Sequence, residues 1–449
     1  MTYEQAEKLL KKNSQEHILA HWKKLSASSR KALLAQIETI DFKDVKRCQE
    51  VLKSGDAVSV KKGKPVAPKV AELKGASLKK AILAGEKELA SGHVGVLLVA
   101  GGQGSRLGFE GPKGAYSIGP ITGSSLFNFH ARKVLALSFR YSVNVPFYIM
   151  TSEANYDATV EHFEENDYFG LNPDDVIFFK QGMWPGMTSD GKIILDRPDH
   201  IFMSPDGHGG VISALKSNGC FADMRKRGVN TIFFFQVDNP LVEVADPAFI
   251  GYHTLNKSEY SLKLCAKREP SEGLGMVVKR DGHFEIIEYT EMTDEMNNRR
   301  TKSGDLYFKY GSPAIHVFDR EFLEREAASA MPLHLAHKKI PYVNEKGEVV
   351  KPSEPNGYKF EKFIFDSLCD AKSVALMAFD RNEEFSPVKN AEGKDSPASC
   401  RADLQAKWRR QLSEAGLTVP DGLLLEIDPV YALDSADIKA TGLLLEAGI

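Results

Sequence analysis

The stretch that most constrains the fold is an apolar run that breaks abruptly into glycines, Val94–Gly119, with the sequence VGVLLVAGGQGSRLGFEGPKGAYSIG. A short, continuous apolar segment of this kind is typical of a strand buried on both faces of a parallel sheet. Gly101 and Gly102 end the segment and let backbone N–H groups approach an anion closely. The sequence therefore predicts a strand that leads into a phosphate-binding loop.

The loop fits neither of two common phosphate-binding motifs. After Gly102 and Gly104 the next glycine is Gly108, one residue too late for the dinucleotide fingerprint, and no Gly-Lys-Ser/Thr follows. The loop carries two cations instead, Arg106 and Lys113. An arginine fork and a lysine point charge suit a polyphosphate whose charge is redistributed during a reaction.

Composition limits the kind of protein without identifying it. A chain of 449 residues that is 42% hydrophobic is long enough for a large core and more than one domain. A net charge of -3 argues against a nucleic-acid coat and favours a local basic site for a small anion. The five cysteines are far apart and show no paired metal-ligand spacing, which indicates a reducing compartment. With neither a signal sequence nor an apolar run of membrane-spanning length, we expect a cytoplasmic protein with no membrane or nucleic-acid partner.

The spacing of apolar residues divides the chain into three predicted regions. Helical periodicity to about Leu52 and a basic, proline-bearing connector over Val58–Pro68 predict a helical N-terminal region at residues 1–70. Residues 71–386 alternate strands with helices, including a predicted helix over Val211–Arg225, and indicate a doubly wound α/β sheet. Shorter strands after Ser261 predict a mixed or antiparallel extension of this sheet. Residues 387–449 are loop-rich and predict a small C-terminal lobe.

Asp238 is the first of four further candidates for chemistry. It ends the strongly apolar run TIFFFQVDNP, and a carboxylate at the carboxyl end of a central strand is well placed to hold Mg²⁺ on phosphate oxygens. The alternative is that Asp238 and Asn239 merely open a turn before Pro240. On the sequence alone the two interpretations are about equally favoured.

The other three candidates are weaker as isolated motifs. MSPDGHGG, Met203–Gly210, surrounds His208 with glycines whose backbone could hold a base or sugar edge, although such a segment is more often a turn and helix cap. Glu288 in EIIEYTE could accept hydrogen bonds from sugar hydroxyls, although a solvated strand edge is the more usual interpretation. Lys389 in EEFSPVKNAEG would be an ordinary surface lysine unless phosphoryl transfer requires cations from several loops.

Taken in order, many segments of the chain resemble the UDP-N-acetylhexosamine (UDP-N-acetylglucosamine) pyrophosphorylases, within the type 1 UDP-glucose pyrophosphorylase family. These segments are QEHILAHW, LVAGGQGSRLG, PKG, FFKQGM, DGKII, MSPDGHGG, QVDNPLVEVADPAFIG, IEYTE, KKIPYV, NGYKFEKFIFD and EFSPVKNAEG. The resemblance implies a Rossmann-like, glycosyltransferase-A-like nucleotidyltransferase core with a mixed sheet, flanked by a helical N-terminal region and a small C-terminal lobe.

The resemblance also implies roles for individual residues. Arg106, Lys113 and Lys389 would be catalytic and would neutralise the UTP triphosphate. Asp238 would hold Mg²⁺. Seven residues would bind the uridine nucleotide: Gly101, Gly102, Gln103, Gly104, Gln181, Pro205 and Gly207. Six residues would lie on the sugar side: His208, Gly275, Glu288, Ser312, Phe363 and Phe365.

Two departures from the family pattern concern the sugar. His208 stands where eukaryotic members usually have the asparagine of DGNGG, and Gly311–Ile315 replaces a segment that bears asparagine. The expected activity is the formation of UDP-sugar and pyrophosphate from UTP and a hexose 1-phosphate, with N-acetylglucosamine 1-phosphate as the main expectation. Glucose 1-phosphate and galactose 1-phosphate stay open. The alternatives from other classes are a glycosyltransferase that uses UDP-sugar and a non-catalytic UDP-sugar sensor.

Overall fold

The structure is a computed structural model that describes residues 1–55 and 63–441. Part of the predicted basic connector and the last eight residues of the predicted C-terminal lobe therefore lie outside the described residues. The α-helices are α1 Tyr3–Lys12, α2 Ala27–Thr39, α3 Phe42–Ser54, α4 Gly75–Ala90, α5 Leu126–Tyr141, α6 Tyr156–Glu165, α7 Gly210–Ser217, α8 Cys220–Arg227, α9 Pro247–Leu255, α10 Asp294–Asn298, α11 Arg320–Glu326, α12 Arg381–Glu384, α13 Pro397–Glu414 and α14 Ser435–Ala440.

The strands are β1 Val94–Val99, β2 Phe147–Thr151, β3 Val176–Lys180, β4 Met183–Pro185, β5 Leu195–Arg197, β6 His200–Ile201, β7 Met203–Pro205, β8 Thr231–Gln236, β9 Tyr260–Ala266, β10 Gly275–Arg280, β11 His283–Ile287, β12 Tyr310–Asp319, β13 His334–Lys338, β14 Tyr342–Val343, β15 Val349–Val350, β16 Gly357–Glu361 and β17 Val374–Ala378. Short 3₁₀ helices connect several of these elements.

The chain forms two compact units, and neither is a single stretch of sequence. The smaller unit comprises residues 1–62, 181–213 and 330–366, and the larger unit comprises residues 63–180, 214–329 and 367–449. Three consecutive regions were expected from the sequence, whereas each unit is assembled from separate segments. The boundaries at residues 70 and 386 stay a prediction.

A nine-stranded sheet forms the centre of the larger unit. Its main order is β11-β10-β12-β8-β1-β2-β3, with β9 pairing with β12 and β17 pairing with β9. The strands β8, β1, β2 and β3 are mutually parallel, whereas β12 is antiparallel to β8, and β10 and β11 continue that antiparallel side. The α/β class with a mixed sheet and an antiparallel extension, predicted from the sequence, is confirmed.

The core of the larger unit follows from the apolar patterns of β1 and α5. Every residue of β1 except Val99 is buried, as expected for a central strand covered on both faces. Ser125 caps α5 by accepting a hydrogen bond from the N–H of Asn128 at 3.1 Å. The helix then buries Leu126, Phe129 and Val134 in the core.

The helices α4 and α9 cross at a pair of glycines. A Cβ built on Gly251 would lie 1.8 Å from the carbonyl oxygen of Ala81, and one on Gly85 would lie 1.9 Å from that of Pro247. Only glycine at both positions lets the two backbones approach this closely. The crossing therefore depends on the absence of a side chain, which hydrophobic periodicity does not reveal.

The smaller unit packs its N-terminal helices against short two-stranded sheets. The pairs are β4–β7, β5–β6, β13–β16 and β14–β15. Leu10, Leu33 and Val45 from the three helices share a core with Trp184 of β4 and Phe360 of β16. The predicted helical N-terminal region therefore forms, but its hydrophobic faces are buried by segments far away in the sequence.

The prediction of a single helix over Val211–Arg225 is wrong in one respect. The segment forms two helices, α7 and α8, because Gly219 adopts φ +74° between them.

No helix within residues 1–55 and 63–441 is both long and apolar enough to cross a membrane. The cytoplasmic location stays a prediction.

Candidate active site

Two predicted site segments of the larger unit lie at the same edge of the sheet. The glycine loop follows β1 directly, and Asp238 lies two residues beyond the end of β8. These strands are parallel neighbours, so their carboxyl ends share one edge. In open α/β sheets this edge is where ligands bind.

The glycine loop is closed by two backbone hydrogen bonds. Gly104 N–H donates to the carbonyl of Gly111, and Lys113 N–H donates to the carbonyl of Gly102, both at 3.0 Å. Within the part of the chain that the structure describes, the N–H groups of Gly102 and Gln103 have no hydrogen-bond acceptor, and both residues are exposed. Unpaired backbone donors on an exposed glycine loop can receive the oxygens of an anion.

Asn155 holds the base of this loop, a role that the sequence did not suggest. Its side-chain amide donates to the carbonyls of Ala100 at 2.9 Å and Gly102 at 3.2 Å, and its oxygen accepts from Ser152 N–H at 2.8 Å. Asn155 is buried at the start of α6. Nothing in the local sequence distinguishes it from an ordinary asparagine near a helix start, so only the fold identifies it.

Lys113 and Asp238 are brought together although 124 residues separate them in sequence. The ammonium Nζ lies 3.4 Å from Asp238 Oδ2, and the two side chains are only 17% and 13% exposed. Among the described residues, no donor reaches the other carboxylate oxygen of Asp238. This donor set fits Mg²⁺, which usually takes one or two protein carboxylates and completes its shell with phosphate oxygens and water.

Two further predicted cations of the larger unit have no acidic partner among the residues described. Arg106 is exposed in the loop, and Lys389 is partly exposed, with Nζ 6.0 Å from the ring centroid of Phe385. Cations without counter-ions are free to pair with an anionic ligand. A net basic site on a chain of net charge -3 agrees with the local basic patch expected from composition.

Two lysines hold the segment that follows Asp238 by donating to its backbone carbonyls. Lys133 of α5 donates from Nζ to the carbonyls of Pro240 and Val242, the latter at 2.7 Å. Lys407 of α13 donates to the carbonyl of Leu241 at 3.4 Å. Burial, together with the charge of Lys407, lowers the pKa of the Lys133 ammonium to about 7.

Three carboxylates in this region, those of Glu243, Asp246 and Glu384, lie within 4.8 Å of one another. They do not need a metal ion, because the fully buried ammonium of Lys263 pairs with Asp246 at 2.7 Å and also with Glu384. Burial raises the pKa of the Glu384 carboxyl to about 7, although Lys263 opposes that shift. The cluster is an ion network of the fold around the fully buried Lys263.

Three predicted sugar-side residues of the larger unit meet at one end of the antiparallel strands. Gly275 pairs with Ser312 across β10 and β12, and a Cβ on Gly275 would lie 3.2 Å from a carboxylate oxygen of Glu288. The pairing of β12 shifts between Gly311 and Ile315, where Ala314 adopts φ +61°. A non-glycine residue in the left-handed region at a bulge is the kind of strain that often accompanies a functional site.

In the smaller unit, His208 lies in a stack of aromatic rings. Its ring is 5.2 Å from that of Phe363 and nearly parallel to it at 9°, and Phe365 lies 5.6 Å away. The ring of His334 also stacks on Phe363, at a centroid distance of 4.0 Å. Ile364 N–H donates to His208 Nδ1 at 3.2 Å, so a neutral His208 carries its proton on Nε2. Burial lowers the pKa of His208 to about 4, and its imidazole is therefore neutral at physiological pH.

The glycines around His208 pack directly against the backbone that carries Phe363. A Cβ on Gly207 would lie 2.5 Å from the carbonyl oxygen of Lys362, and Gly209 N–H donates to the same carbonyl at 2.8 Å. The neighbouring Asp206 is buried with Lys362 Nζ 3.5 Å away, and burial raises the pKa of its carboxyl to about 6. The glycines of MSPDGHGG thus serve a close approach of two backbones.

The predicted site residues therefore divide between the two units. The larger unit holds Gly101, Gly102, Gln103, Gly104, Arg106, Lys113, Asp238, Gly275, Glu288, Ser312 and Lys389, and the smaller unit holds Gln181, Pro205, Gly207, His208, Phe363 and Phe365. Pro205 pairs with Met183 across β7 and β4, two residues from Gln181. The roles of these residues stay predictions.

Comparison with known proteins gives a consistent result. The family profile described as UTP–glucose-1-phosphate uridylyltransferase matches residues 41–412. The UDP-N-acetylhexosamine pyrophosphorylase-like protein 1 of Mus musculus is 36% identical, covering 94% of this chain and 89% of its own length. The UDP-N-acetylglucosamine pyrophosphorylase of Saccharomyces cerevisiae is 34% identical, with 92% of both chains covered. The crystal structure of the UDP-N-acetylglucosamine pyrophosphorylase of Trypanosoma brucei superimposes with a TM-score of 0.83 at 27% identity, covering 96% of this chain and 93% of that one.

Proposed function

Since this chain belongs to the UTP–glucose-1-phosphate uridylyltransferase family, we propose that it forms UDP-N-acetylglucosamine and pyrophosphate from UTP and N-acetylglucosamine 1-phosphate. The relatives that match it over more than nine tenths of its length carry the names of enzymes for the N-acetylated sugar. This agreement favours N-acetylglucosamine 1-phosphate over glucose or galactose 1-phosphate, in spite of His208 and Ser312.

The observation that carries the proposal is the meeting of Lys113 with Asp238 beside the open donors of the glycine loop. One carboxylate, one ammonium 3.4 Å from it and unpaired backbone N–H groups form a set of contacts for a triphosphate and its metal ion. A non-catalytic sensor is the less favoured alternative, because Arg106, Lys113 and Lys389 are all present in the chain.

The proposed reaction is an in-line displacement at phosphorus. An oxygen of the sugar 1-phosphate forms a bond to the α-phosphorus of UTP while the bond from that phosphorus to the bridging α,β oxygen breaks, and pyrophosphate leaves with the electron pair. The nucleophile is already an anion at neutral pH, so no general base is required. The protein aligns two anions that repel each other and stabilises their combined charge through Arg106, Lys113 and Lys389.

Asp238 would hold Mg²⁺, because its carboxylate lies at the carboxyl end of β8 and one of its oxygens has no partner among the described residues. The bound ion would neutralise charge on the phosphate oxygens. Lys113, on the same carboxylate, would keep positive charge at this position as the nucleotide binds.

Recognition of the base and the sugar is assigned to the remaining predicted residues. Seven residues would contact the uridine nucleotide: Gly101, Gly102, Gln103, Gly104, Gln181, Pro205 and Gly207. Gly275, Glu288 and Ser312 would contact the sugar, and the neutral His208 would offer it an Nε2–H donor. Phe363 and Phe365 would provide an apolar surface for the N-acetyl group.

The direct test is a pyrophosphate-release assay with the purified full-length chain, Mg²⁺, UTP and a panel of hexose 1-phosphates. We expect the highest kcat/KM with N-acetylglucosamine 1-phosphate, and release of UTP when pyrophosphate is added to UDP-N-acetylglucosamine. A glycosyltransferase would consume UDP-sugar without pyrophosphate, and a sensor would bind UDP-sugar without turnover. Either result would refute the proposal, whereas the highest rate with glucose 1-phosphate would correct only the sugar.

A further inference from the structure

The segment that contains Asp238 and the segment that contains Lys389 are joined by three hydrogen bonds. Val388 N–H donates to the carbonyl of Asp238 at 2.8 Å. The other two bonds use the side chain of Asn239, which donates from Nδ2 to the carbonyl of Glu384 at 2.6 Å and accepts from Ser386 N–H at 3.0 Å. Asp238 takes part in one of these bonds and directly precedes Asn239, and Lys389 directly follows Val388.

Asn239 is suited to this connection by its chemistry. It is only 4% exposed, and its amide carries both donor and acceptor atoms, so that one N–H bonds to the carbonyl of Glu384 and the oxygen accepts from the N–H of Ser386. Aspartate would present an oxygen to the carbonyl of Glu384, and alanine would leave two buried backbone groups without partners. The asparagine therefore does more than open the turn before Pro240.

Other contacts also hold the two segments in place. Ser386 is anchored to α13, because its Oγ donates to Asp403 at 2.6 Å and its carbonyl lies 3.1 Å from the thiol of Cys400. Behind the other segment, Lys133 binds the carbonyl of Val242. Lys407 also bonds to both segments, at the carbonyls of Leu241 (3.4 Å) and Glu383 (2.7 Å), whereas Asn239 adjoins Asp238 and bonds to Ser386, three residues from Lys389.

We propose that Asn239 is a positioning residue that holds Asp238 and Lys389 in a fixed relation, so that the metal-binding carboxylate and the lysine act on the same nucleotide together. The inference rests on the proposed function, since it assumes that both residues contact the nucleotide or its metal ion. Asn239 itself would touch neither substrate. Small misplacement of a catalytic group is enough to lower a rate by about 10²-fold.

The test is a double-mutant cycle between Asn239→Ala and Lys389→Met, measured by pyrophosphate release and by UTP binding in calorimetry. We expect Asn239→Ala to lower kcat by about 10- to 100-fold, with the KM for sugar 1-phosphate changed by less than about 3-fold. We also expect Lys389→Met to cost several-fold less in the Asn239→Ala background than in the wild type, because the lysine is already misplaced.

The matched control is Ser386→Ala, a buried change in the same segment that keeps the backbone N–H bonded to Asn239. The fold-changes in kcat caused by Ser386→Ala and by Lys389→Met should multiply in the double variant, as expected for independent effects. If any loosening of the segment misplaced Lys389, the two effects would not be independent. If Asn239→Ala does not fold, Asn239→Asp serves instead, since it keeps the size of the side chain and the acceptor for Ser386 N–H.

The possible results distinguish a failure of the positioning role of Asn239 from a failure of the proposed function. A folded Asn239 variant with kcat within about 2-fold of an active wild type, or with effects independent of Lys389→Met, overturns the positioning role and leaves the proposed function standing. A wild type that neither releases pyrophosphate nor binds UTP refutes the proposed function and this role with it. If the wild type binds UTP without turnover, the cycle measured by calorimetry still decides the role of Asn239.

Discussion

Replacing Lys113 with methionine should separate its effect on catalysis from its effect on stability. The ammonium lies 3.4 Å from Asp238, and neither side chain is fully buried. At this distance the gross Coulomb attraction is roughly 5 kcal/mol for an effective dielectric constant of 20 and roughly 1 kcal/mol in water. Desolvation offsets most of that, and partly exposed pairs contribute about 1 kcal/mol or less to stability. The free energy of unfolding should therefore change by no more than about 1 kcal/mol.

The effect of Lys113→Met on turnover should be much larger. Loss of one preorganised charge that stabilises a transition state lowers kcat by about 10²- to 10³-fold, equivalent to about 3–4 kcal/mol. The remaining carboxylate of Asp238, freed of its neighbouring cation, should also bind Mg²⁺ more tightly. We expect the Mg²⁺ concentration for half-maximal activity to fall by at least about 5-fold, since even the weaker Coulomb limit is about 1 kcal/mol.

The assay combines pyrophosphate release over a Mg²⁺ titration with urea unfolding of the same preparations. Lys74→Met is the control, because it removes an exposed lysine that pairs with Glu72 at 3.0 Å. The control should change neither kcat nor the Mg²⁺ midpoint. A Lys113→Met variant with kcat within about 3-fold of the wild type would refute the assigned role. So would a rate loss that merely follows the unfolded fraction.

Three further predictions concern the metal, the buried ions and the helix crossing. Asp238→Asn should lower kcat and shift or abolish the Mg²⁺ dependence, so an unchanged titration would count against metal binding there. Lys263→Met should destabilise the fold by about 3–5 kcal/mol in urea unfolding, because it leaves buried carboxylates unpaired. That loss should be larger at pH 8 than at pH 5.5. The charge of Lys263 opposes the rise in the pKa of Glu384, which is about 7 in the wild type, so the variant should have a still higher pKa and keep losing stability as pH rises above that value. A loss independent of pH would contradict this. Gly251→Ala should lower the thermal midpoint markedly, because its Cβ would lie 1.8 Å from the carbonyl of Ala81, and an unchanged midpoint would show that the helices separate freely.

Much of the fold was predictable because it depends on local patterns. The run from Val94 to Val99 is apolar without interruption, and such a run is stable only when a sheet buries both of its faces. The antiparallel extension predicted after Ser261 also forms, in β9 to β12. The helix expected over Val211–Arg225 failed at Gly219, where a positive φ overrides a continuous apolar pattern.

The candidate site was predictable only in part. Arg106, Lys113 and the glycines lie in one loop, so their association was evident from the sequence. The sequence favoured Asp238 about equally as a metal ligand and as part of a turn. The structure adds that Lys113 lies 3.4 Å from its carboxylate, and the metal-binding role stays a prediction. Asn155, which holds the loop, carries no local signal at all.

The sequence by itself determined the strand that leads into a glycine loop, the types of charge available there and the resemblance to a family. Only the tertiary structure decided which of those charges meet, since parallel strands place their carboxyl ends at one edge however far apart they are in sequence. It also revealed that Asn239 joins Asp238 to the segment of Lys389 and that Lys263 neutralises buried carboxylates. Hydrogen bonds and ion pairs of this kind act over a few ångströms in space, and distance along the chain does not record them.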